Sequence, residues 1–416
     1  MLFPLKCPAQ NYAWGKPGSE STVASLLLAD NEKIDVSKPY AEFWIGTHVN
    51  GPAKLRAENL TLESLLKTNP HFQSCNELST DETGNLPYLF KILSVNKALS
   101  IQAHPDIPLA QKLHAEFPSI YKDPNHKPEM ACAITEFEAL AGFQSIESIM
   151  QNIQMTPELG ELLEESTSQL SETKLESSEE LKILFTALMK SDEEIVKENV
   201  SRLQRRLEGL GNDITMPNKL ALRLCHEYPG DVGVFCVYFM CYRCLQPGEA
   251  VFLGANEPHA YLKGDCAEVM ARSDNVVRAG LTPKLRDVNT LCEMLTYSEP
   301  SSVGFFPPGN ILKPIVRDEN THVYAPPDPN VDEFELERIV MKPNSVYEPK
   351  LSTYGAVILV LEGRANATYK ADSGLDDTIQ ITRGNTFFQA AGSTLKLETQ
   401  DVELIIFRTT TKGAIM

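Results

Sequence analysis

The chain has 416 residues, 42% of them hydrophobic, which is enough to bury cores in about two or three domains. Its formal net charge of -18 at pH 7 argues against general attraction to nucleic acid or an anionic membrane, so an anionic ligand would need a local basic pocket. The longest uncharged apolar run, residues 232–242, is too short for a membrane helix of roughly 20 residues.

Residues 1–6 lack the basic start and apolar core of an export signal, and the nine cysteines are scattered, so they read as reduced thiols in the cytoplasm. The first 150 residues are rich in proline and β-formers. Residues 40–48 read as a strand running into a turn, and residues 86–93 as an apolar strand carrying one cation, Lys91. A short turn at Asn96-Lys97 leads into residues 100–106, and this spacing predicts that the two strands are neighbours in one sheet. Alternation should project Ser100, Gln102 and His104 together, with Leu99, Ile101 and Ala103 packed behind and Pro105 ending the strand. A helix over 109–116 and a loop over 123–130 follow. Pro124 and Pro128 stiffen that loop, and His126, Lys127 and Glu129 crowd its middle; residues 131–143 then read as one strand.

From about 151 to 226 Glu, Ser, Leu and Lys dominate, the pattern of a helical insertion. Residues 181–189 form one apolar helix. Ser191-Asp192-Glu193-Glu194 has the form of a capping box before Val196, Val200, Leu203, Leu207 and Leu210, with Gly209 and Gly211 closing that helix. The acidic stretch 161–180 reads as a solvated surface. Alternation of Val232, Val234, Cys236 and Tyr238 predicts a return to strand. Cys241 and Cys244 have CxxC spacing but no second pair to complete a zinc site. The remainder is short strands and turns at regular spacing, as in a sandwich or jelly roll, and Gly384-Asn385-Thr386-Phe387-Phe388 echoes Gly248-Glu249-Ala250-Val251-Phe252.

Gln102, His104, Glu129 and His259 lie on three segments, each with a proline nearby. Two imidazoles and a carboxylate are ordinary zinc ligands, and Gln adds a neutral oxygen that leaves the site net positive. Past His259, residues 264–284 mix acids (Asp265, Glu268, Asp274) with cations (Arg272, Arg278, Lys284) in a Gly/Pro-bounded stretch.

In Tyr12-Ala13-Trp14-Gly15 and in residues 41–48, 100–106, 125–130, 258–261 and 273–284, the chain resembles the type I phosphomannose isomerases, zinc enzymes of the cupin superfamily. The resemblance implies a mainly β fold with an α-helical insertion: two cupin-like jelly rolls plus a helical domain. Residues 1–150 with 227–310 would form the catalytic domain, 151–226 the helical insertion, and 311–416 a C-terminal jelly roll without metal. It implies one zinc ion per chain on Gln102, His104, Glu129 and His259, with Arg278 as the active-site arginine. The implied reaction interconverts mannose 6-phosphate and fructose 6-phosphate by proton transfer between C1 and C2 through an enediol-type intermediate, feeding nucleotide-mannose synthesis. That chemistry needs a base, an oxyanion stabiliser and a phosphate anchor. Glu268 and Asp274 are the candidate bases, Ser100, Lys127 and Lys284 the candidate phosphate contacts, and Lys91, Glu42 and Tyr261 candidate pocket residues. The expected partner is a small sugar phosphate, with no nucleic acid and no membrane, in a monomer. The alternatives are a cupin-type metal enzyme for another sugar phosphate, and a sugar binder without catalysis.

Overall fold

Period-two burial along a few strands organises the molecule into layers. A computed structural model of the chain describes all residues except 77–80, 173–174, 299–310, 372–373 and 415–416. In the strand Ala356–Glu362, Val357, Leu359 and Leu361 point to one side and Ile358 and Val360 to the other. Ile358 and Val360 meet Ala365, Ala367, Ile381, Leu395 and Leu397 from a 4-stranded sheet, closing a C-terminal sandwich. Val357 and Leu359 instead meet Phe90, Ile92, Met130, Cys132, Ala267 and Val269 from an 11-stranded sheet. The 8-stranded sheet between them is thus packed on both faces.

The chain's first strand, Leu2–Lys6, belongs to that middle sheet. It pairs with Thr386–Gln389, Leu2 opposite Gln389 and Leu5 opposite Thr386. The start of residues 1–150 is therefore woven into the C-terminal layers, and the expected boundary at residue 310 lies outside the described residues. The echo between the two glycine motifs is structural: Gly248 and Gly384 have φ of 89° and 84°, and strands Ala250–Leu253 and Thr386–Gln389 begin just after them.

The helical stretch runs from Ile146–Met155 to Asn218–Glu227. Leu181, Leu184, Phe185, Val200, Leu203 and Leu207 share one core with Ile101, Ala103, Ala260, Leu262, Val277 and Ala279. The helices thus buttress the backs of the strands Ile101–Ala103, His259–Ala271 and Val277–Gly280.

Several local expectations need correction. Residues 131–143 form two strands, Glu129–Ala133 and Phe137–Phe143, rather than one. Strands Tyr88–Val95 and Ile101–Ala103 share a sheet but do not pair with each other; each pairs with a different part of His259–Ala271. Residues 233–236 are a helical turn, not a strand, because everything from Val232 to Arg243 is buried and alternation there carries no facing information. The cap of helix Glu193–Gly209 is Asp192, whose carboxylate accepts from the N–H groups of Glu194 and Ile195, while Ser191 donates back to Ala187 O; Leu210 is exposed. Leu99 precedes the strand Ile101–Ala103 and lines the cleft described below instead of packing behind it.

Candidate active site

The same alternation that builds the layers assembles the site. Along Tyr88–Val95, Phe90 and Ile92 enter the core shared with the 8-stranded sheet, which leaves Leu89, Lys91 and Leu93 on the inner face. Along Glu42–Ile45, Phe43 and Ile45 pack outward and Glu42 and Trp44 inward; along Glu129–Ala133, Met130 and Cys132 face out and Glu129 faces in. Ala267 and Val269 face out, Glu268 and Met270 in. The inner faces line a cleft of about 950 Å³.

The strand His259–Ala271 runs through this site from end to end. Its first part pairs His259 with Gln102, and its last part pairs Met270 with Glu129. A straight strand would hold positions 259 and 270 about 36 Å apart. Yet His259 Nε2 lies 3.3 Å from Glu129 Oε2, so the strand curls around the cleft. The turn-over comes at Gly264, with φ of 109°, where a Cβ would stand 2.3 Å from Glu136 O. Tyr261 faces inward at an odd position, whereas Cys266, Glu268 and Met270 do so at even ones. The register shifts between Tyr261 and Lys263, and this bulge together with the glycine conformation beside it switches the parity, so the imidazole and Glu268 share one interior.

His104, Glu129 and His259 are almost fully buried, and one ligand atom from each lies within 4.8 Å of the others. His104 Nδ1–H donates to Asn275 O at 2.7 Å, and His259 Nδ1–H donates to Glu257 O at 3.0 Å. Both Nε2 lone pairs are therefore aimed inward, at 3.4 and 3.3 Å from the two Glu129 oxygens. Burial pushes the His104 imidazole down to about 4, so it is neutral at pH 7. His104 Nε2, His259 Nε2 and Glu129 Oε2 are buried without a hydrogen-bond partner. Acceptors pointing at one another in a dry pocket are costly unless a cation sits between them, so the donor set fits a divalent metal. Gln102 lies directly opposite His259 on the neighbouring strand and lines the same cleft, with its Oε1 accepting from Ser100 Oγ at 3.4 Å.

Around that centre the charges are graded. Lys127 Nζ is 3.1 Å from Glu129 Oε1; burial alone would raise the Glu129 carboxyl, but Lys127 and the imidazoles hold it well below the carboxylate range. Lys127 is thus paired with Glu129 rather than standing free. Lys91 lies 2.9 Å from Glu268 and 3.7 Å from Glu42. Burial works against the Lys91 charge, but the surrounding carboxylates outweigh it and keep the ammonium protonated. One cation shared this way does not undo the burial of Glu268, whose carboxyl is raised. Glu42 accepts from Trp44 Nε1 at 2.5 Å. Burial lifts the Tyr261 hydroxyl, and Glu268 and Glu129 lift it further. Asp274 is exposed and held low by a 3.2 Å contact with His48 Nε2–H, whose Nδ1 accepts from Asn50 N–H.

Arg278, opposite Gln102 in register, lines the cleft and makes no hydrogen bond or ion pair with the described residues. Lys284 stands exposed at the rim, and Ser100 lies beside Gln102. Every candidate residue outside the two histidines therefore borders one cleft. The sequence reading missed Trp14, Trp44, His48, Lys97 and Tyr228, which line it too. The first three lie inside the motif segments, Lys97 sits in the turn before Ile101–Ala103, and Tyr228 ends the helical stretch. Asn275, whose carbonyl orients His104, was missed as well. Its amide donates to Asp123 O and Asn125 O and so knits residues 123–125 to residues 273–275. Cys241 is buried and Cys244 exposed on one strand, which leaves the CxxC pair facing apart. Among the described residues no helix is long and apolar enough to cross a membrane.

Comparison with known proteins agrees with this architecture. The catalytic domain of type I phosphomannose isomerase matches residues 2–146, and the helical insertion domain of the same family matches residues 155–240. Mannose-6-phosphate isomerase of Mus musculus is 42% identical over 425 residues, covering 98% of each chain. The Homo sapiens protein of the same name is 40% identical over 425 residues, again covering 98% of each. A crystal structure of mannose 6-phosphate isomerase bound with zinc and yttrium superposes with a TM-score of 0.81 at 25% identity, covering 99% of both chains. Layered β-sheets, a helical insertion, a buried His/Glu/His cluster and kinship along the whole chain converge: the chain belongs to the type I phosphomannose isomerase family.

Proposed function

We propose that the protein interconverts mannose 6-phosphate and fructose 6-phosphate, moving a proton between C1 and C2 of the sugar. The observation that carries this reading is one cleft bordered by Gln102 and Glu129 of a metal-competent donor set, by an arginine unpaired among the described residues and by a buried carboxylate. The names of the curated relatives, at about the same length as this chain, support the choice of sugar.

Gln102, His104, Glu129 and His259 would hold one zinc ion, which when bound supplies Lewis acidity toward a sugar oxygen. Glu268 is the base we favour: it is buried beside Lys91 in the cleft, whereas Asp274 is exposed and engaged by His48. Removing a proton next to a carbonyl leaves negative charge on the carbonyl oxygen, and Arg278, without a carboxylate partner among the described residues, would stabilise it. The phosphate would rest among Ser100, Lys284 and the rim of the cleft. Lys127 is already committed to Glu129 and fits better as part of the metal surround. Lys91, Glu42 and Tyr261 would shape the pocket floor. We place the activity in a cytoplasmic monomer, its product feeding nucleotide-mannose synthesis.

The test is a coupled assay of the purified, metal-loaded protein on mannose 6-phosphate, with glucose 6-phosphate in parallel. Turnover of mannose 6-phosphate is expected. Turnover of the other sugar phosphate alone would move the reading to a different aldose, and no turnover of either would defeat it.

A further inference from the structure

The cleft wall carrying Lys284 is fastened from outside the cleft. Leu281, Thr282, Pro283 and Lys284 line the cleft immediately after the strand that bears Arg278. Leu281 has φ of 53°, a conformation that L residues adopt only where the surroundings impose it. What imposes it is Asp231. One carboxylate oxygen accepts from the N–H groups of Gly233 and Leu281, both at 2.7 Å, and the other accepts from Thr282 N–H at 3.1 Å. Asp231 forms no ion pair among the described residues, so its charge is met by backbone donors. The two backbones meet directly: a Cβ on Gly280 would lie 2.6 Å from Gly233 N, and one on Gly233 would lie 2.6 Å from Leu281 N.

Asp231 does not border the cleft. It lines a separate hollow of about 310 Å³, and Thr282, Pro283 and Lys284 form the partition between the two. The residues just before it grip the segment that leads into Ile101–Ala103, the strand paired with Val277–Gly280. Glu227 Oε2 accepts from Ala98 N–H at 2.9 Å, and Tyr228 Oη donates to Ala98 O at 2.5 Å. Lys97 Nζ sits 4.0 Å from the centre of the Tyr228 ring. A five-residue connector at the end of the helical stretch therefore holds two neighbouring segments of the cleft wall, at Ala98 and at Leu281-Thr282.

We propose that Asp231 is a positioning residue for the isomerase reaction: by fixing the backbone of Leu281 and Thr282 it sets the wall that presents Lys284 to the substrate. The inference rests on the functional reading above, and it gives the helical insertion a part in the active site. The test compares the unaltered enzyme with Asp231→Asn, Lys284→Ala and the double variant, measuring kcat, KM for mannose 6-phosphate, Tm and zinc content for each. Asp231→Asn is expected to lower kcat/KM about tenfold or more, mostly through KM, with zinc retained, because charge-assisted bonds to the wall are lost. The double variant should be no worse than Lys284→Ala by more than about twofold. Should Asp231→Asn not fold, Asp231→Ser, with one short acceptor left, takes its place. A merely structural role would lower Tm and leave kcat/KM of the folded enzyme unchanged, and that result, or losses that multiply in the double variant, would overturn the proposal. Absence of turnover in the unaltered enzyme would instead defeat the functional reading and this inference with it.

Discussion

Arg278, Arg272 and Arg338 are half-buried and have no ion-pair partner among the described residues, and of the three Arg278 is the one that lines the cleft. Arg408 pairs with Glu337, Arg223 with Glu138 at 2.6 Å and Arg206 with Glu158 at 2.8 Å, whereas Arg278 has no described partner. A half-buried guanidinium without a counter-charge costs folding energy, so its use lies in what it meets later. Arg278→Ala should therefore lower kcat by about 10²–10³ while Tm and zinc content stay unchanged; a variant that unfolds would show the arginine to be structural instead. Glu268→Gln should cost at least about 10² in kcat, and Asp274→Asn far less. The reverse order would hand the base role to Asp274. At this scale the sequence was informative because ligand types are chemical and the motif segments resemble a known family: together these singled out Gln102, His104, Glu129 and His259, of which His104, Glu129 and His259 cluster in the structure. The pairing of Lys127 with Glu129, and the part of Asn275 in orienting His104, depend on loop contacts between residues 123–130 and 273–275, which no local pattern announces.

Among the elements, the strand His259–Ala271 shows where local reading runs out. Strict alternation from His259 would send Glu268 to the opposite face, nine positions on. The register shift between Tyr261 and Lys263, with Gly264 in a positive-φ conformation beside it, reverses the parity and lets one strand serve both ends of the cleft. Gly264→Ala would push a methyl into Glu136 O and force an unfavourable φ, so it should destabilise by more than about 2 kcal/mol in chemical denaturation. An unchanged midpoint would mean the parity switch needs no glycine. The helical stretch was legible because its apolar residues recur at 3.6 spacing on one face; residues 232–238 were not, because burial on every side erases the pattern. The helices also carry a testable titration. Burial pushes the Glu158 carboxyl up, but the bidentate Arg206 overrides it and holds it below its ordinary 4.5. A depressed carboxyl stabilises the fold above its ordinary value, and that contribution is lost as pH falls through the depressed one. Tm of Glu158→Gln should therefore fall less steeply between neutral and acid pH than that of the unaltered protein, and parallel curves would contradict this.

For the molecule as a whole, the 11-stranded sheet forms the cleft, and the 8-stranded sheet and a helical layer back it from different sides. The 8-stranded sheet backs the inner strands through Phe90, Ile92, Ala267 and Val269, and the helices back Ile101, Ala260 and Val277. The mainly β class and the insertion were readable from strand spacing and the compositional shift. The return of the first strand, Leu2–Lys6, to the C-terminal sheet was not, since sequence separation hides which distant edge a short strand will pair with. The proposed reaction depends on the buried His104, Glu129 and His259 cluster, with Gln102 beside it, holding a zinc ion. The most direct measurement follows zinc content by mass spectrometry and mannose 6-phosphate turnover together while a chelator strips the protein and zinc is then restored. The account predicts close to one zinc per chain, activity falling in step with its removal and returning on re-addition; full turnover from protein shown to be free of metal would contradict it.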